Sequence, residues 1–189
     1  MDKRTEILLA AKKSFETFGY KATTMEQVAK FSKVAKGTVY NFFLNKEELL
    51  QEVVVLMIKQ MITETEATVN PSFTFMENAT QTLKKLLRYR KHHMLFVKLI
   101  EEEKHLQTPE VKQMLLKIED EILNYLTVKM QMAIDKGEVR PCNTKLVSYM
   151  LLKTYLAFIV DWPTNHDEEL DEDTIITLIQ DTIIRGLLL

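Results

Sequence analysis

Apolar residues recur every three or four positions along most of the chain, the spacing of amphipathic helices rather than strands. Ile7, Leu8, Ala11, Phe15 and Phe18 form the first such stripe, which predicts a helix from about Lys3 to Phe18. Gly19 follows at once, where a residue of positive φ would close it. Thr24 and Gln27 have capping-box spacing, so a second helix begins there on an apolar face of Met25, Val28 and Ala29. A turn around Phe31-Ser32-Lys33 precedes a short third helix, about Ala35 to Phe42. Asn45-Lys46-Glu47-Glu48 is another capping box, and it opens a long helix to about Glu66. Leu49, Val53, Leu56, Met57 and Met61 are its core positions.

Asn70-Pro71-Ser72 interrupts the pattern, and helices are expected over about 74–88, 92–104 and 109–136. The last of these has Pro109 at its first position and Lys136-Gly137 at its close. An eighth helix spans about 143–162 and should stop before Pro163. An acidic loop from Asn165 to Asp173 then leads to a final helix over about 174–187. The reading is an all-α fold of about nine helices, with no internal repeat.

Composition supports it. Only four Gly and four Pro occur in 189 residues, too few for the turns that a strand-rich fold needs. The single Cys142 excludes an intramolecular disulfide and a multi-cysteine zinc site, and suits a reducing cytoplasm. No stretch reaches the roughly 18 apolar residues of a membrane span. Met1-Asp2-Lys3-Arg4 leads into an amphipathic segment, unlike a signal peptide. A cytoplasmic protein without a membrane partner is expected. The net charge of −2 conceals an asymmetry: residues 1–48 hold nine Lys/Arg against six Asp/Glu, the remainder sixteen against twenty-one. A mildly basic head before an acidic body is the electrostatic form of a nucleic-acid-binding segment joined to one that is not.

The head has the pattern of a helix-turn-helix, three short helices with a tight turn between the second and third. In that motif the later helix enters the major groove with its N-terminal side chains toward base edges. Val34, Val39 and Phe43 are expected to face a small core with Phe15, Phe18 and Val28. Lys36, Thr38, Tyr40 and Asn41 are left outside. Lys suits guanine or phosphate, Thr a phosphate or thymine methyl, and Asn an adenine. Gly37 has no side chain, so backbone can approach DNA closely there. Lys46 can reach a phosphate at the start of the fourth helix.

Gly19-Tyr20-x-x-Thr23-Thr24-Met25-x-x-Val28-Ala29, followed by Val34-x-Lys36-Gly37-Thr38-Val39-Tyr40-x-Phe42-Phe43-x-Asn45-Lys46-Glu47-x-Leu49, resembles the DNA-binding signature of the tetracycline-repressor (TetR) family. The resemblance implies phosphate contacts at Thr24, Tyr40 and Lys46, and base contacts from Lys36, Thr38 and Asn41. Two positions depart from it. Ser32-Lys33-Val34 replaces an Ala-Gly-Val turn, so Lys33, also placed at the DNA, must take a backbone shape that glycine adopts more easily. Ala35 stands where Ser or Thr often caps the recognition helix. The implied organisation is a DNA-binding domain, 1–46, and a helical ligand-binding and dimerisation domain, 47–189.

In that second domain the last two helices are apolar nearly all round, which implies cover from outside the monomer. Leu151, Ile159, Ile179, Ile183, Gly186 and Leu187 are assigned to an isologous homodimer interface, an arrangement that the TetR resemblance also implies. Met57, Met61, Phe75, Met94, Phe96, Met114, Tyr125, Tyr155, Phe158 and Trp162 suit either ordinary core or an adaptable apolar effector pocket. The stretch from Lys136 to Pro141 and the helix ending Asp161-Trp162 resemble the fatty-acid-responsive members. A fatty acyl compound is one effector class; a lipophilic cation, with Asp161 or a Glu as counter-charge, is the other.

The expected partners are double-stranded operator DNA, a small hydrophobic effector and a second copy of the chain. Repression relieved by the effector is the family default. His92, His93, Glu101, Glu102, Glu103 and His105 are the only dense group of possible ligands or acid–base residues. They match no catalytic or metal motif, so neither enzymatic activity nor a cofactor is expected.

Overall fold

A computed structural model describes residues 2–88 and 94–188. The helices are α1 Lys3–Ala22, α2 Met25–Phe31, α3 Lys36–Phe42, α4 Lys46–Glu66 and α5 Phe75–Arg88. They continue with α6 Met94–Leu106, α7 Pro109–Asp135, α8 Thr144–Leu156, α9 Trp162–Asn165 and α10 Glu172–Ile179. A π-helical turn, Ala157–Asp161, joins α8 to α9, so the two form one continuous element. Another, Gln180–Ile184, extends α10 into a last 3-10 turn, Arg185–Leu187. Among the described residues the one extended pairing is a single antiparallel bridge between Val139 and Leu188.

The chain forms two compact units, Met1–Met61 with His92–Ile118, and Ile62–Lys91 with Glu119–Leu189. The segment 1–46 falls wholly within the first. Ile7, Ala11, Phe15, Val28, Val39, Phe43, Leu49 and Leu50 are buried there, together with Leu95 and Leu99 of α6. In the second unit Leu87, Ile175, Ile176, Ile179 and Ile184 form one apolar cluster, with Phe75, Leu83, Tyr155 and Phe158 packed against it. Met130, Ala133, Val139 and Leu187 form another.

The helix ends follow local chemistry. Thr24 caps α2 in a complete capping box: the Gln27 N–H donates to Thr24 Oγ1 at 3.2 Å, and the Thr24 N–H donates to Gln27 Oε1 at 2.7 Å. At α4 the box is displaced by one residue. Asn45 Oδ1 accepts from the Glu48 N–H, but the Glu48 carboxylate reaches back to the Leu44 N–H at 2.6 Å. α7 closes at Gly137, φ 72°, with the Gly137 N–H on the Ile134 carbonyl and the Glu138 N–H on that of Ala133.

Two expectations need correction. Pro163 does not end the eighth helix, which runs on through α9. A proline contributes no N–H to the α register, and the chain meets this with the wider turn ahead of it, where the Trp162 N–H bonds to the Ala157 carbonyl. Phe18 is not in the core; it lies at the surface, stacked on Phe31 with ring centroids 6.1 Å apart. Gly19 does interrupt α1, as expected: it takes φ 81° and ψ 168°, the helix kinks there, and a last turn to Ala22 follows, whose Tyr20 and Lys21 N–H groups bond to the Glu102 carboxylate.

Candidate nucleic-acid interface

α2 ends in a Schellman motif that aims α3. Lys33 takes φ 56°, its N–H bonding the Lys30 carbonyl, while the Val34 N–H reaches the Ala29 carbonyl at 3.1 Å. The left-handed conformation required of Lys33 is therefore present, held by both bonds of the motif. Ala35 precedes α3 with no side-chain cap, the second departure read from the sequence.

α3 anchors itself through one buried side chain, Val39. Around it Lys36, Gly37, Tyr40 and Asn41 are exposed and Thr38 is half-buried. The Lys36 ammonium lies 3.6 Å from the Glu26 carboxylate of α2, both side chains well exposed, so water and salt compete with this pair. A Cβ built at Gly37 meets nothing within 4 Å, so packing within the chain does not demand glycine there. Thr24 is exposed at the start of α2, and accepting from Gln27 leaves its hydroxyl hydrogen to donate. Lys33 and Thr38 share an open groove of about 690 Å³ with Lys3, Glu6, Lys13 and Phe31. Its charged lining residues are three lysines and one glutamate, a net positive rim beside the start of the recognition helix.

Lys46 is placed differently from the expectation of a free phosphate contact. Its ammonium donates to the carbonyls of Tyr20 at 2.8 Å, Thr23 at 2.9 Å and Lys21 at 3.3 Å, and it lies 4.4 Å from the centre of the Tyr20 ring. Burial lowers its pKa, against the opposing pull of Glu102 and Glu110. Burial likewise pushes the Tyr20 hydroxyl up to about 12, with Glu110, Glu47 and Glu102 adding to the effect. Nothing in the spacing of the sequence distinguishes a lysine on carbonyls from one on phosphate.

The residues assigned to an effector pocket divide between the units. Met57, Phe96 and Met114 are buried in the first, Met61 is half-buried and Met94 exposed. In the second, Phe75, Tyr155 and Phe158 pack on the α5–α10 cluster. Tyr125 donates to Glu66 at 2.6 Å and meets Thr65 at 3.3 Å. Trp162 stacks on His166 at 3.9 Å and donates to the Glu168 carbonyl.

Of the residues assigned to a dimer surface, Leu151, Ile159 and Ile183 are half-buried and Gly186 is exposed. Ile179 and Leu187 are corrected: both are buried in the apolar clusters of their own chain, because α10 turns Ile179 toward α5 and the closing 3-10 turn sets Leu187 against α7. On α8 and α10 the exposed large apolar side chains are Leu146, Tyr149, Met150 and Leu178. Of the histidine and glutamate group, His92 and His93 lie outside the described residues. Glu102, which the sequence left without a role, is buried against the head. Among the described residues no three His, Cys, Asp or Glu side chains gather as a metal site, and no helix is long and apolar enough to cross a membrane.

A basic-edged helix pair with its polar face outward and its apolar face locked in a small core defines a helix-turn-helix DNA-binding protein. Comparison with known proteins places it more closely. The family model for bacterial regulatory proteins of the tetR family matches residues 7–53. An HTH-type transcriptional regulator of Bacillus subtilis, YhgD, is 40% identical over 99% of this chain and 97% of its own. The fatty acid metabolism regulator protein of Bacillus subtilis is 24% identical over 98% of this chain and 95% of its own. The crystal structure of the Bacillus subtilis regulator FadR in complex with stearoyl-CoA shares the fold, with TM-score 0.79 at 22% identity over 97% of this chain and 98% of that one. The chain belongs to the TetR family, and it is a DNA-binding transcriptional regulator rather than an enzyme.

Proposed function

We propose that the chain is a repressor that binds a palindromic operator as a homodimer and is released by a small hydrophobic effector of the fatty acyl class. The observation that carries the DNA half is the outer face of α3, where Lys36, Gly37, Tyr40 and Asn41 stand exposed around the buried Val39. On this reading Lys36, Thr38 and Asn41 meet base edges, and Thr24, Lys33 and Tyr40 meet phosphates. Lys46 serves the same face by holding the Tyr20–Thr23 carbonyls, and reaches a phosphate only if it gives one of them up. The acyl class is supported by the likeness, over nearly the whole chain, to a fatty acid metabolism regulator protein and to a regulator bound to stearoyl-CoA.

The division of labour follows the domains read from the sequence, 1–46 for DNA and 47–189 for effector and dimerisation. α4 belongs in part to each compact unit. Its length, roughly 30 Å, makes a small tilt a large displacement at its end. Two heads fit successive major grooves only when their recognition helices stand about 34–36 Å apart. An effector that binds better to a conformation with other spacing releases the DNA by population shift.

Selection of bound sequences from random DNA, followed by operator binding with and without stearoyl-CoA, tests both halves. A palindromic site whose affinity falls on adding stearoyl-CoA is expected. Recovery of no preferred sequence overturns the operator reading, and an affinity indifferent to saturating acyl-CoA overturns the effector class.

A further inference from the structure

Glu102 of α6 is a buried carboxylate, 7% exposed, at a place where no sequence motif asks for one. One oxygen accepts the Tyr20 N–H at 2.6 Å; the other accepts the Lys21 N–H at 2.9 Å and lies 3.3 Å from the Thr108 hydroxyl. Two consecutive backbone N–H groups turned toward one carboxylate need an unusual backbone immediately before them. Gly19 provides it at φ 81°, and a Cβ there would come within 2.7 Å of Glu102 Oε2. The positive φ favours glycine, and a Cβ would push the Glu102 carboxylate from its place on the two donors.

The carbonyl side of the same segment is held as well. Lys46 donates to the Tyr20 and Thr23 carbonyls, and the buried Thr23 hydroxyl donates back to the Gly19 carbonyl at 2.7 Å. A carboxylate from α6 thus binds the N–H ends, and an ammonium from α4 the carbonyl ends, of one turn, Gly19–Thr23. These are charge-assisted bonds, stronger than neutral ones; Glu102, Tyr20 and Thr23 are buried and Lys46 is half-buried. The turn ends one residue before Thr24, the cap of α2. Its geometry therefore sets the angle at which α2, and through the Lys33 motif α3, leave α1.

We propose that Glu102 is a positioning residue for operator binding: from α6, outside the helix-turn-helix, it fixes the Gly19–Thr23 turn and with it the face that meets DNA. The proposal rests on that face being the one that reads the operator. Glu102→Gln keeps size and shape but sets an amide NH2 against one of the two N–H donors.

Hydrogen–deuterium exchange of the peptide 16–24, which needs no DNA, reads the clasp directly. Operator affinity against affinity for an unrelated duplex, measured well below the melting temperature, reads its consequence. For Glu102→Gln the exchange rate of that peptide and the operator dissociation constant are each expected to rise about tenfold, the size of one charge-assisted bond. Affinity for the unrelated duplex, set mainly by counterion release, should stay as in wild type. Thr108→Val, which leaves both backbone donors in place, should bind the operator as wild type does. Should Glu102→Gln fail to fold, Glu102→Asp carries the same comparison, with charge kept and reach shortened.

Unchanged operator affinity in folded protein with faster exchange overturns the positioning role. Equal loss on both duplexes, or loss in Thr108→Val matching that in the Glu102 variant, reduces Glu102 to a packing residue and overturns it too. Failure to recover any operator bears on the reading of the face, while unchanged exchange of the 16–24 peptide sinks the clasp by itself.

Discussion

Lys46 stands against Tyr20 twice, its ammonium 2.8 Å from the Tyr20 carbonyl oxygen and 4.4 Å from the centre of the ring. Its remaining donors go to Lys21 and Thr23, so the side chain ties the start of α4 to the end of α1. A charged donor on partly buried acceptors contributes about 1.5–3 kcal/mol, most of which is lost when the acceptors are left bare. Lys46→Met should therefore lower the urea midpoint at an unchanged denaturant slope, and weaken operator binding as well. An unfolding curve identical to wild type would mean that this ammonium is free of the carbonyls in solution. In that case only the salt dependence of DNA binding should fall, by about one phosphate contact.

Gly37 separates folding from binding. A Cβ there meets nothing within the chain, and alanine is the better helix former by about 0.5–1 kcal/mol. Gly37→Ala should leave thermal stability equal or slightly raised while operator affinity drops, since the added methyl occupies the space that DNA backbone needs. Stability and affinity moving in opposite directions is the signature. A variant that binds as wild type does would remove Gly37 from the interface.

How much of this was legible in the sequence depends on the range of the interactions. The capping box at Thr24, the forced conformation of Lys33 and the closure at Gly137 are decided within a few residues, and spacing reveals them. Gly19 was legible as a positive-φ position, but its partner is 83 residues away in the chain; the spacing of Glu102 from Leu95 and Leu99 puts it on the apolar stripe of α6, yet says nothing of which backbone it meets. Lys46 was legible as a cation at a helix start and not as a donor to carbonyls of α1, for the same reason. Pro163 misled because a helix can widen by one residue to pass a proline, and periodicity carries no sign of it.

Glu66 gives a pH dependence. Its hydrogen bonds from Lys129 and Tyr125 hold the carboxyl below the usual range. A folded-state pKa depressed in this way stabilises above the unfolded carboxylate value, and the contribution disappears as the pH falls through the folded value. The site is largely exposed, so the effect at neutral pH should be that of a surface pair, about 0.2–1 kcal/mol. Wild type should therefore be slightly more stable than Glu66→Gln near neutrality, with the difference closing as the solution is acidified below the ordinary carboxylate pKa. Parallel urea titrations at several pH values measure it; a gap that stays constant into acid would show that the carboxyl is not the group responsible.

The last prediction concerns what covers α8. Leu146 is 65% exposed, Tyr149 45% and Met150 43%, one stripe at helical spacing. Ile179 of α10 is only 3% exposed and belongs to the cluster with Leu87 and Ile175. Charging the stripe and truncating the cluster should have different consequences if the stripe is a homodimer surface. Met150→Glu should give a folded monomer by light scattering, with helicity and melting shape retained, and its operator affinity should collapse because a single head reads half a site. Ile179→Ala should instead cost about 2–5 kcal/mol of stability, the price of a core cavity, whatever the state of assembly. A Met150→Glu protein that stays dimeric would move the interface away from this stripe and leave these apolar groups to another partner.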